Sequence, residues 1–389
     1  MKKRRVLIIH HRSQYGGAPR SLIENLNYFK KDRNLKIDII CPKGEVFYKI
    51  EKLGFNIIPT QGVPIFDNSN FGYYKKLRWL ILIREIYFLI CFLFTFRNIK
   101  ENYDIIHLNE ILCFPIIPYL KKKFSCKIIT HQRTKLSTKN SLRIKWMNSI
   151  LKKNVFKIIC IDKDCQLSLH SSLKNKSVII LNCISKINEK KNRSINRFKK
   201  DLITFGFVGQ LNESKGIKKL IKAFKLLSRN KNVELKIYSP FPIFNLKNLI
   251  LNYLNIRKDF YLFYKRENLV KYKNIKFMGY IKNLEKVYKN IDVLVFPNED
   301  YAIGRPVFEA GYYRTPSLVA HKNKKSEYLI NGKTGYIINP NTPENLLKNI
   351  KKINNKKTIN KFGAQALKLS KQNFSVSKNS KKIVDLYFS

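Results

Sequence analysis

Acidic residues are scarce in this chain of 389 residues, which has 26 Asp+Glu against 77 Lys+Arg and a formal net charge of +51. Such an imbalance attracts polyanions, including nucleic acid, anionic lipid and phosphorylated substrates. The excess is not confined to a tail, because residues 1–185 hold 34 basic and 12 acidic residues and the other half has a similar imbalance. The even spread argues against a dedicated nucleic-acid surface and favours a general preference for anions.

Paired cysteines are also absent, since none of the seven cysteines forms a Cys-x-x-Cys motif. The sequence therefore gives no support to a disulfide framework or a zinc site, and it fits a reducing cytosol. The apolar run behind the basic N-terminus covers only residues 6–9. This run is too short for the core of a signal peptide and is better explained as a first strand. We predict a cytoplasmic protein that needs no metal.

A long uninterrupted apolar segment is missing as well. Residues 79–96 are mostly apolar, but Arg84 and Glu85 interrupt them. The remaining run, 86–96, is about half the length of a membrane span. Three explanations stay open: a helix buried in the first domain, a helix lying on an anionic membrane surface, and a true span. The basic flanks suit the second explanation, which makes peripheral membrane attachment a candidate property; they are Lys75, Lys76, Arg78, Arg97 and Lys100.

Short β-branched runs alternate with longer helical patterns along the whole chain. This alternation is typical of an α/β fold in which a parallel sheet is covered by helices on both faces. The predicted strands of the first half are 5–10, 35–40, 55–58, 104–108, 127–131, 155–161 and 177–181. Those of the second half are 203–208, 233–238, 274–278, 291–296, 316–320 and 334–338, with helices at 215–228 and 306–313 and a helical end at 342–388.

The polar, basic stretch 185–201 has no apolar periodicity and is predicted to be a linker. It divides the chain into two doubly wound, Rossmann-like domains, 1–184 and 202–370. Residues 371–389 are predicted as a final helix, a candidate for packing back on the first domain. Ligands are expected at the carboxyl ends of the strands, in a cleft between the two domains.

Two glycine-containing loops follow predicted strands. Gly16 and Gly17 follow the first strand and open a helix, which suits a phosphate or a sugar. Their spacing is not Gly-x-Gly-x-x-Gly, so the dinucleotide fingerprint is absent, and an ordinary turn remains the alternative. Gly209 and Gln210 end a strand ahead of Lys215, an arrangement that could cradle a diphosphate. The alternative is an ordinary helix start capped by Ser214.

The most specific segment is 296–320. A strand ends at Pro297, a turn follows at Gly304, and a helix begins near Pro306, since proline favours the first helical turn. We expect Glu309 in that first turn, where its carboxylate could accept hydrogen bonds from two vicinal hydroxyls such as those of a ribose. Free backbone amides around 302–305 could hold phosphate or sugar oxygens.

This segment resembles the Glu-x7-Glu signature of glycosyltransferase family 4, whose members are retaining GT-B enzymes that use nucleotide-sugar donors. The matching residues are Pro297, Gly304, Glu309, Ala310 and Thr315-Pro316. Further matches follow the family's order along nearly the whole chain: Gly16-Gly17-Ala18, Asp104-Ile-Ile-His107, His131, Asn182, Gly279, Asp292–Pro297 and Glu327–Gly335.

The resemblance implies a GT-B fold and transfer of a sugar, with retention, from a UDP- or GDP-linked donor to a hydroxyl of a glycan or lipid-linked acceptor. It implies no cofactor and no metal, and a role in bacterial surface polysaccharide synthesis. Glu309 would hold the ribose and His131 the transferred sugar, as the catalytic residues. The donor-binding residues that it implies are Gly16, Gly17, Gly209, Gln210, Lys215, Tyr301, Ala302, Ile303, Gly304, Arg305 and Glu309.

Two positions depart from the family pattern. Tyr301 stands where the first glutamate of the signature is expected, with Glu299 and Asp300 as its acidic neighbours. Gln210 stands where an arginine usually neutralises the diphosphate, so Arg305 becomes a candidate substitute. These departures keep a second hypothesis open, a catalytically silent GT-B subunit that binds a partner or a membrane.

Two other polar groups have competing explanations. Asp162-Lys163-Asp164 has the spacing of a metal-binding Asp-x-Asp motif, but it lies between a strand and a helix, so we expect Asp162 to be an N-cap. Basic residues of the first half would contact the acceptor or a membrane, or form a solvated face; they are Lys121–Lys123, Lys135, Arg143 and Lys145.

Overall fold

The computed structural model describes residues 3–69, 74, 76–185, 202–230, 232–254 and 260–389. For residues 76 and 78 only the backbone is described. The chain divides into two compact units. The first comprises Met1–Ser185 together with Phe374–Ser389, and the second comprises Lys186–Asn373. Apart from residue 185, the predicted linker 185–201 lies outside the described residues.

The first unit is built on a seven-stranded sheet in which every strand pair is parallel. The strand order is β3-β2-β1-β4-β5-β6-β7. The strands are β1 Arg4–Ile9, β2 Leu35–Pro42, β3 Asn56–Thr60, β4 Ile105–Leu108, β5 Lys127–Gln132, β6 Lys157–Cys160 and β7 Ser177–Ile179. The helices are α1 Gly17–Phe29, α2 Glu45–Glu51, α3 Ile81–Arg97, α4 Ile117–Lys123, α5 Leu142–Asn154, α6 Lys163–Leu167 and, from the end of the chain, α14 Val376–Phe388.

The second unit has a six-stranded parallel sheet with the order β10-β9-β8-β11-β12-β13. Its strands are β8 Ile203–Val208, β9 Val233–Tyr238, β10 Ile275–Phe277, β11 Val293–Phe296, β12 Ser317–Ala320 and β13 Gly335–Ile338. Its helices are α7 Ile217–Leu226, α8 Leu246–Tyr253, α9 Tyr261–Arg266, α10 Leu284–Tyr288, α11 Arg305–Tyr312, α12 Pro343–Ile353 and α13 Lys356–Asn373.

The central strands are continuous apolar runs because helices cover both faces of each sheet. Val6–Ile9 of β1 and Val293–Phe296 of β11 are buried at every position. In both sheets the strand order reverses at the centre, between β1 and β4 in the first and between β8 and β11 in the second. In doubly wound sheets ligands bind beside the carboxyl ends of strands at such a reversal. The predicted fold class is confirmed, and each predicted strand overlaps an observed one.

The apolar segment 79–96 matches neither a fully buried helix nor a spanning one. Helix α3 buries Phe92 and Phe96 in the first core, while Ile83 and Phe94 are 59% and 67% exposed. The expectation of a helix buried in the first domain is therefore wrong for one of its faces. Among the described residues, no helix has both the length and the apolar character needed to cross a membrane.

The chain returns to the first unit at its end. Tyr387 of α14 packs edge-on against Phe29 of α1, with ring centroids 5.8 Å apart. The Ser380 hydroxyl donates a hydrogen bond to Asn25 Oδ1 of α1 at 2.8 Å. The predicted helical end, 342–388, is divided into three helices, because Asn355 and Ser375 each start a new helix as side-chain N-caps.

Candidate functional site

The loop after β8 is held tightly against the end of β11. Gly216 has a left-handed conformation (φ 68°), and a Cβ on it would lie 1.8 Å from the Pro297 carbonyl oxygen. The Glu299 amide also donates to the Ser214 carbonyl oxygen at 2.9 Å. Only glycine fits at residue 216, because any side chain would collide with backbone. The loop is thereby fixed with Lys215 beside the residues that follow β11.

Lys215 is a desolvated cation at this edge of the sheet. Its Nζ lies 5.8 Å from the centroid of the Phe296 ring. Burial lowers the pKa of Lys215, and the negative charge of Asp300 opposes that shift. None of the residues described here forms an ion pair with the Lys215 ammonium. A half-buried cation without a counter-ion among the described residues is suited to binding an anionic group.

The loop from Pro297 to Gly304 is organised by Asn298 and Tyr301. The Asn298 amide donates to the Ala302 carbonyl oxygen at 2.7 Å. Tyr301 has a left-handed backbone (φ 58°), its carbonyl oxygen accepts from His321 Nδ1 at 3.0 Å, and its hydroxyl accepts from the Asn341 amide at 3.3 Å. Tyr301 thus ties this loop to the residues that follow β12 and β13.

The acidic neighbours of Tyr301 are engaged within the protein. The Glu299 carboxylate forms an ion pair with Lys219 at 2.6 Å. Asp300 Oδ1 accepts a hydrogen bond from the Ala302 amide at 3.1 Å. The expectation that the Ala302 amide is free for a ligand is therefore wrong, because Asp300 folds back on it.

Farther along the loop, the amides of Ile303 and Gly304 have no hydrogen-bond acceptor among the residues described. Gly304 is the N-cap of α11, which begins at Arg305. Unpaired amides at a helix N-terminus carry partial positive charge and favour anions. Two of the predicted amides therefore remain available, and Gly304 borders the same Phe296 ring as Lys215.

Glu309 lies in the second turn of α11, not in the first turn as expected, because the helix starts at Arg305. Its carboxylate is buried, with 1% of its surface exposed. Oε1 accepts from Arg305 Nε at 2.9 Å and Oε2 accepts from the Tyr288 hydroxyl at 3.0 Å. Arg305, predicted as a substitute diphosphate ligand, is thus the ion-pair partner of Glu309.

The exposed Gln210 lies at the end of β8.

In the first unit, Gly16 is the N-cap of α1, and Gly17 is the first residue of that helix. A Cβ at Gly16 would meet no atom within 4 Å. The start of α1 therefore borders open space, as close approach of a ligand requires.

The expected N-cap Asp162 is confirmed, since it accepts from the Cys165 amide at 2.7 Å.

Three buried histidines meet at the carboxyl edge of the first sheet. His10 follows β1, His107 lies in β4 and His131 in β5, each at most 2% exposed. Burial lowers the pKa of His10 and of His107 to about 3 and that of His131 well below its ordinary value, and Arg133 acts in the same direction. All three imidazoles are therefore neutral at physiological pH.

Arg133, which is not among the predicted site residues, is the centre of this cluster. Its guanidinium donates to Asn109 Oδ1 at 2.7 Å, to Asn182 Oδ1 at 3.0 Å and to His131 Nδ1 at 3.4 Å. The signal in the sequence was its position two residues after the strand-end histidine His131. A guanidinium in that position can cross-link neighbouring strand ends.

Glu110, two residues beyond the end of β4, was also missed. It is 5% exposed, and its Oε1 has no hydrogen-bond partner among the described residues. Burial raises the pKa of Glu110 to about 7, although Arg133 and Arg12 oppose the shift. The first unit thus places the Glu110 carboxyl and the neutral imidazoles of His10, His107 and His131 at the carboxyl edge of its sheet.

Comparison with known proteins relates part of this chain to known glycosyltransferases. Residues 188–369 match the family model of the glycosyl transferases group 1. The chain is 25% identical to the capsular polysaccharide biosynthesis glycosyltransferase CapM of Staphylococcus aureus. That match covers 45% of this chain and 42% of CapM, so it spans less than half of CapM. It is 26% identical to an uncharacterized glycosyltransferase of Methanocaldococcus jannaschii over 71% of this chain and 73% of that protein.

The fold is also that of solved structures in this group. The crystal structure of Anabaena HepE in complex with UDP and glucose superposes with a TM-score of 0.69 at 15% identity, over 99% of both chains. This similarity extends over both units, whereas the family model matches the second alone. The match to the glycosyl transferases group 1 is confined to residues 188–369, and the two Rossmann-like units of the chain have the GT-B fold.

Proposed function

We propose that the chain is a retaining glycosyltransferase that moves a sugar from a UDP- or GDP-linked donor to a hydroxyl of a glycan or lipid-linked acceptor. The observation that carries this proposal is the anion site of the second unit, where the half-buried Lys215 and the free amide of Gly304 border the same Phe296 ring. The name of CapM supports a role in surface polysaccharide synthesis, and the UDP and glucose in the HepE structure support the donor class.

In this proposal Lys215 and the two amides bind the donor diphosphate. The site combines one full charge with the positive end of α11, so it stabilises the charge that the diphosphate gains as it leaves. Gly16 and Gly17 would let the donor approach the start of α1. This chemistry uses the protein's own groups, and we propose no metal and no cofactor.

Glu309 would bind the ribose of the donor. Each carboxylate oxygen can accept more than one hydrogen bond, so ribose hydroxyls would share this carboxylate with Arg305 and Tyr288. The Arg305 partner orients the buried carboxylate. The buried ion pair would thereby serve as a preorganised hydroxyl acceptor.

The proposed transfer takes place on one face of the sugar. The bond between the anomeric carbon and the diphosphate oxygen breaks, and the acceptor oxygen bonds to the same carbon from the same side. The leaving diphosphate takes the acceptor's proton, so the protein need only position the reactants and stabilise charge. His131 would donate a hydrogen bond to an oxygen of the transferred sugar.

A catalytically silent GT-B subunit is the second candidate function. It is favoured by Tyr301, which occupies the position of the expected glutamate while Glu299 is held by Lys219. Incubation with a panel of UDP- and GDP-sugars, with donor hydrolysis and calorimetry as readouts, separates the two candidates. Donor binding with hydrolysis supports the enzyme, and the absence of any donor binding supports the silent subunit.

Substitution of Lys215 is expected to weaken donor binding. Lys215→Met keeps the length of the side chain but removes a charged hydrogen-bond donor, which contributes about 1.5–3 kcal/mol. We expect the Kd of UDP to rise by about tenfold to a hundredfold. Lys218→Met is the matched control, because Lys218 is paired with Glu213 on the surface. Titration calorimetry measures both, and equal Kd values for UDP in the two variants would contradict the proposed anion site.

We further propose that the protein binds peripherally to the cytoplasmic face of an anionic membrane through α3. The exposed apolar side chains of α3 lie on one helix face, with the exposed Arg84 beside it, and form an apolar stripe of Ile83, Ile86, Tyr87, Ile90 and Phe94. Lys123 of α4 donates to the carbonyl oxygens of Phe96 and Arg97, so basic residues lie at the end of this stripe. An apolar stripe with a basic margin suits an anionic leaflet.

The membrane proposal predicts a loss of vesicle binding when the stripe is made polar. The triple variant Ile83→Ser, Ile90→Ser, Phe94→Ser removes most of the apolar area and should weaken binding about a hundredfold. Co-sedimentation with phosphatidylcholine vesicles, with and without phosphatidylglycerol, measures it. The control is Ile243→Ser with Leu246→Ser, which removes exposed apolar side chains from the second unit. Equal losses in both variants would argue against a specific role for α3.

A further inference from the structure

A chain of hydrogen bonds joins the C-terminal helix to the proposed sugar-binding histidine. The Tyr387 hydroxyl of α14 lies 2.6 Å from His107 Nδ1, and His107 Nε2 lies 3.3 Å from His131 Nδ1. The planes of the two imidazole rings are nearly parallel, with an interplanar angle of 13° and centroids 5.4 Å apart. At the far end, Arg133 Nη2 lies 3.4 Å from the same His131 Nδ1. Tyr387, His107 and His131 are buried.

The direction of the protons in this chain follows from its arginine end. A guanidinium can only donate, so His131 Nδ1 must accept and its proton must be on Nε2. His107 Nε2 then donates to His131 Nδ1, which leaves His107 Nδ1 as an acceptor. The Tyr387 hydroxyl therefore donates to His107 Nδ1. Burial raises the pKa of Tyr387, which keeps this hydroxyl protonated.

The reverse arrangement is unfavourable at both ends. With protons on Nδ1 of both histidines, the N–H of His131 would face the N–H of Arg133. The phenolic proton of Tyr387 would also lose its acceptor, since the described residues offer no hydrogen-bond partner for this hydroxyl besides His107. A buried polar group without a partner costs more free energy than a normal hydrogen bond returns.

We propose that Tyr387 is a positioning residue that, together with Arg133, holds His131 in the Nε2–H tautomer. His131 then presents a hydrogen-bond donor, which is what an oxygen of the transferred sugar requires. The tautomer itself follows from the geometry of the first unit alone. Its consequence for catalysis rests on the proposed glycosyltransferase function, so the two are tested by separate measurements.

His10 provides an internal reference for the test. Arg133 occupies Asn109 Oδ1, so the Asn109 amide nitrogen donates to His10 Nδ1 at 2.9 Å. His10 is therefore also protonated on Nε2, but through a bond that does not involve Tyr387. Removal of the Tyr387 hydroxyl should change His107 and His131 and leave His10 unchanged.

The first experiment is histidine-selective nitrogen-15 NMR of the full-length wild-type protein at neutral pH, which is tractable because the chain has six histidines. Protonated and unprotonated ring nitrogens have well-separated shifts, and single His→Gln variants assign the signals. We expect the Nε2–H form for His10, His107 and His131. A proton on Nδ1 of His131 in the wild-type protein would overturn the proposal, whatever the activity.

The second experiment compares Tyr387→Phe with Tyr103→Phe. Tyr103 is a matched control because its buried hydroxyl donates to Asp38 Oδ2 at 2.9 Å in the same unit. In Tyr387→Phe we expect averaged tautomer shifts for His107 and His131 and a roughly tenfold lower kcat for donor hydrolysis, with an unchanged donor KM. Tyr103→Phe should change neither. Unchanged His107 and His131 shifts in a folded Tyr387→Phe protein would refute the role of Tyr387.

Discussion

Replacing Glu309 by alanine is expected to abolish donor turnover, with a loss of about a thousandfold or more in kcat/KM. The substitution removes a preorganised carboxylate that would accept from two ribose hydroxyls, a contribution of about 4 kcal/mol. The measurement is hydrolysis of whichever UDP- or GDP-sugar the wild-type protein turns over. Wild-type activity in this variant would exclude Glu309 from the donor site.

The same substitution has a second effect, which the experiment must separate from the first. Glu309→Ala leaves Arg305 buried without its counter-ion, and breaking one side of a buried ion pair costs about 3–5 kcal/mol of stability. Lost activity could then reflect an unfolded second unit. The sequence alone predicted no such cost, because the pairing of Glu309 with Arg305 depends on where α11 begins.

The double variant Arg305→Met with Glu309→Gln separates the two effects. It removes both charges and keeps the volume, so its thermal unfolding should lie closer to wild type than that of Glu309→Ala. Donor turnover should nevertheless remain lost, since an amide accepts fewer and weaker hydrogen bonds than a carboxylate. A stable double variant with wild-type turnover would show that Glu309 serves only the ion pair.

Features carried by local sequence were predictable here. The predicted strands 203–208 and 233–238 coincide with β8 and β9, because an apolar run bounded by polar residues specifies a buried strand. The helix start near Pro306 was predicted from proline and the preceding glycine turn, and it fell one residue away. The one-residue difference was enough to move Glu309 from the first turn to the second.

Contacts between residues that are far apart in the sequence could not be predicted. The cluster around His131 joins residues from three strand ends and from α14, and Tyr387 lies 280 residues from His107 along the chain. No periodicity encodes that contact, since it arises from the strand order of the first sheet and from the return of α14 to α1. The partly exposed face of α3 was likewise undetermined, because its composition is apolar on both faces.

Acidification is expected to destabilise the first unit. The imidazoles of His10 and His107 are held neutral by burial, with pKa values of about 3 against an ordinary value of 6.5. As the pH falls below about 6.5 the unfolded chain binds protons at these positions and the native unit does not, so the free energy of unfolding decreases. Between about pH 7.5 and about pH 5 this costs about 2 kcal/mol for each of the two. His131 shifts in the same direction and adds to the loss.

Glu110 opposes this trend. Because its pKa is raised to about 7, the native unit binds a proton there before the unfolded chain does, which stabilises the fold by about 2 kcal/mol at about pH 5. The three histidines outweigh this single carboxyl. We therefore expect a net loss of about 2 kcal/mol or more, a large fraction of the stability of an ordinary domain.

Denaturant titrations followed by tryptophan fluorescence test this balance, because both tryptophans, Trp79 and Trp146, lie in the first unit. Glu110→Gln removes the opposing group, so its loss on acidification should exceed that of wild type by about 2 kcal/mol, and it should be the more stable protein at about pH 7.5. The exposed Glu101→Gln is the control and should follow wild type. A wild-type free energy of unfolding that stays constant or rises on acidification would mean that the three imidazoles are protonated in the native unit. The proton chain from Tyr387 to His131 could not then exist, because a charged imidazole has no acceptor nitrogen.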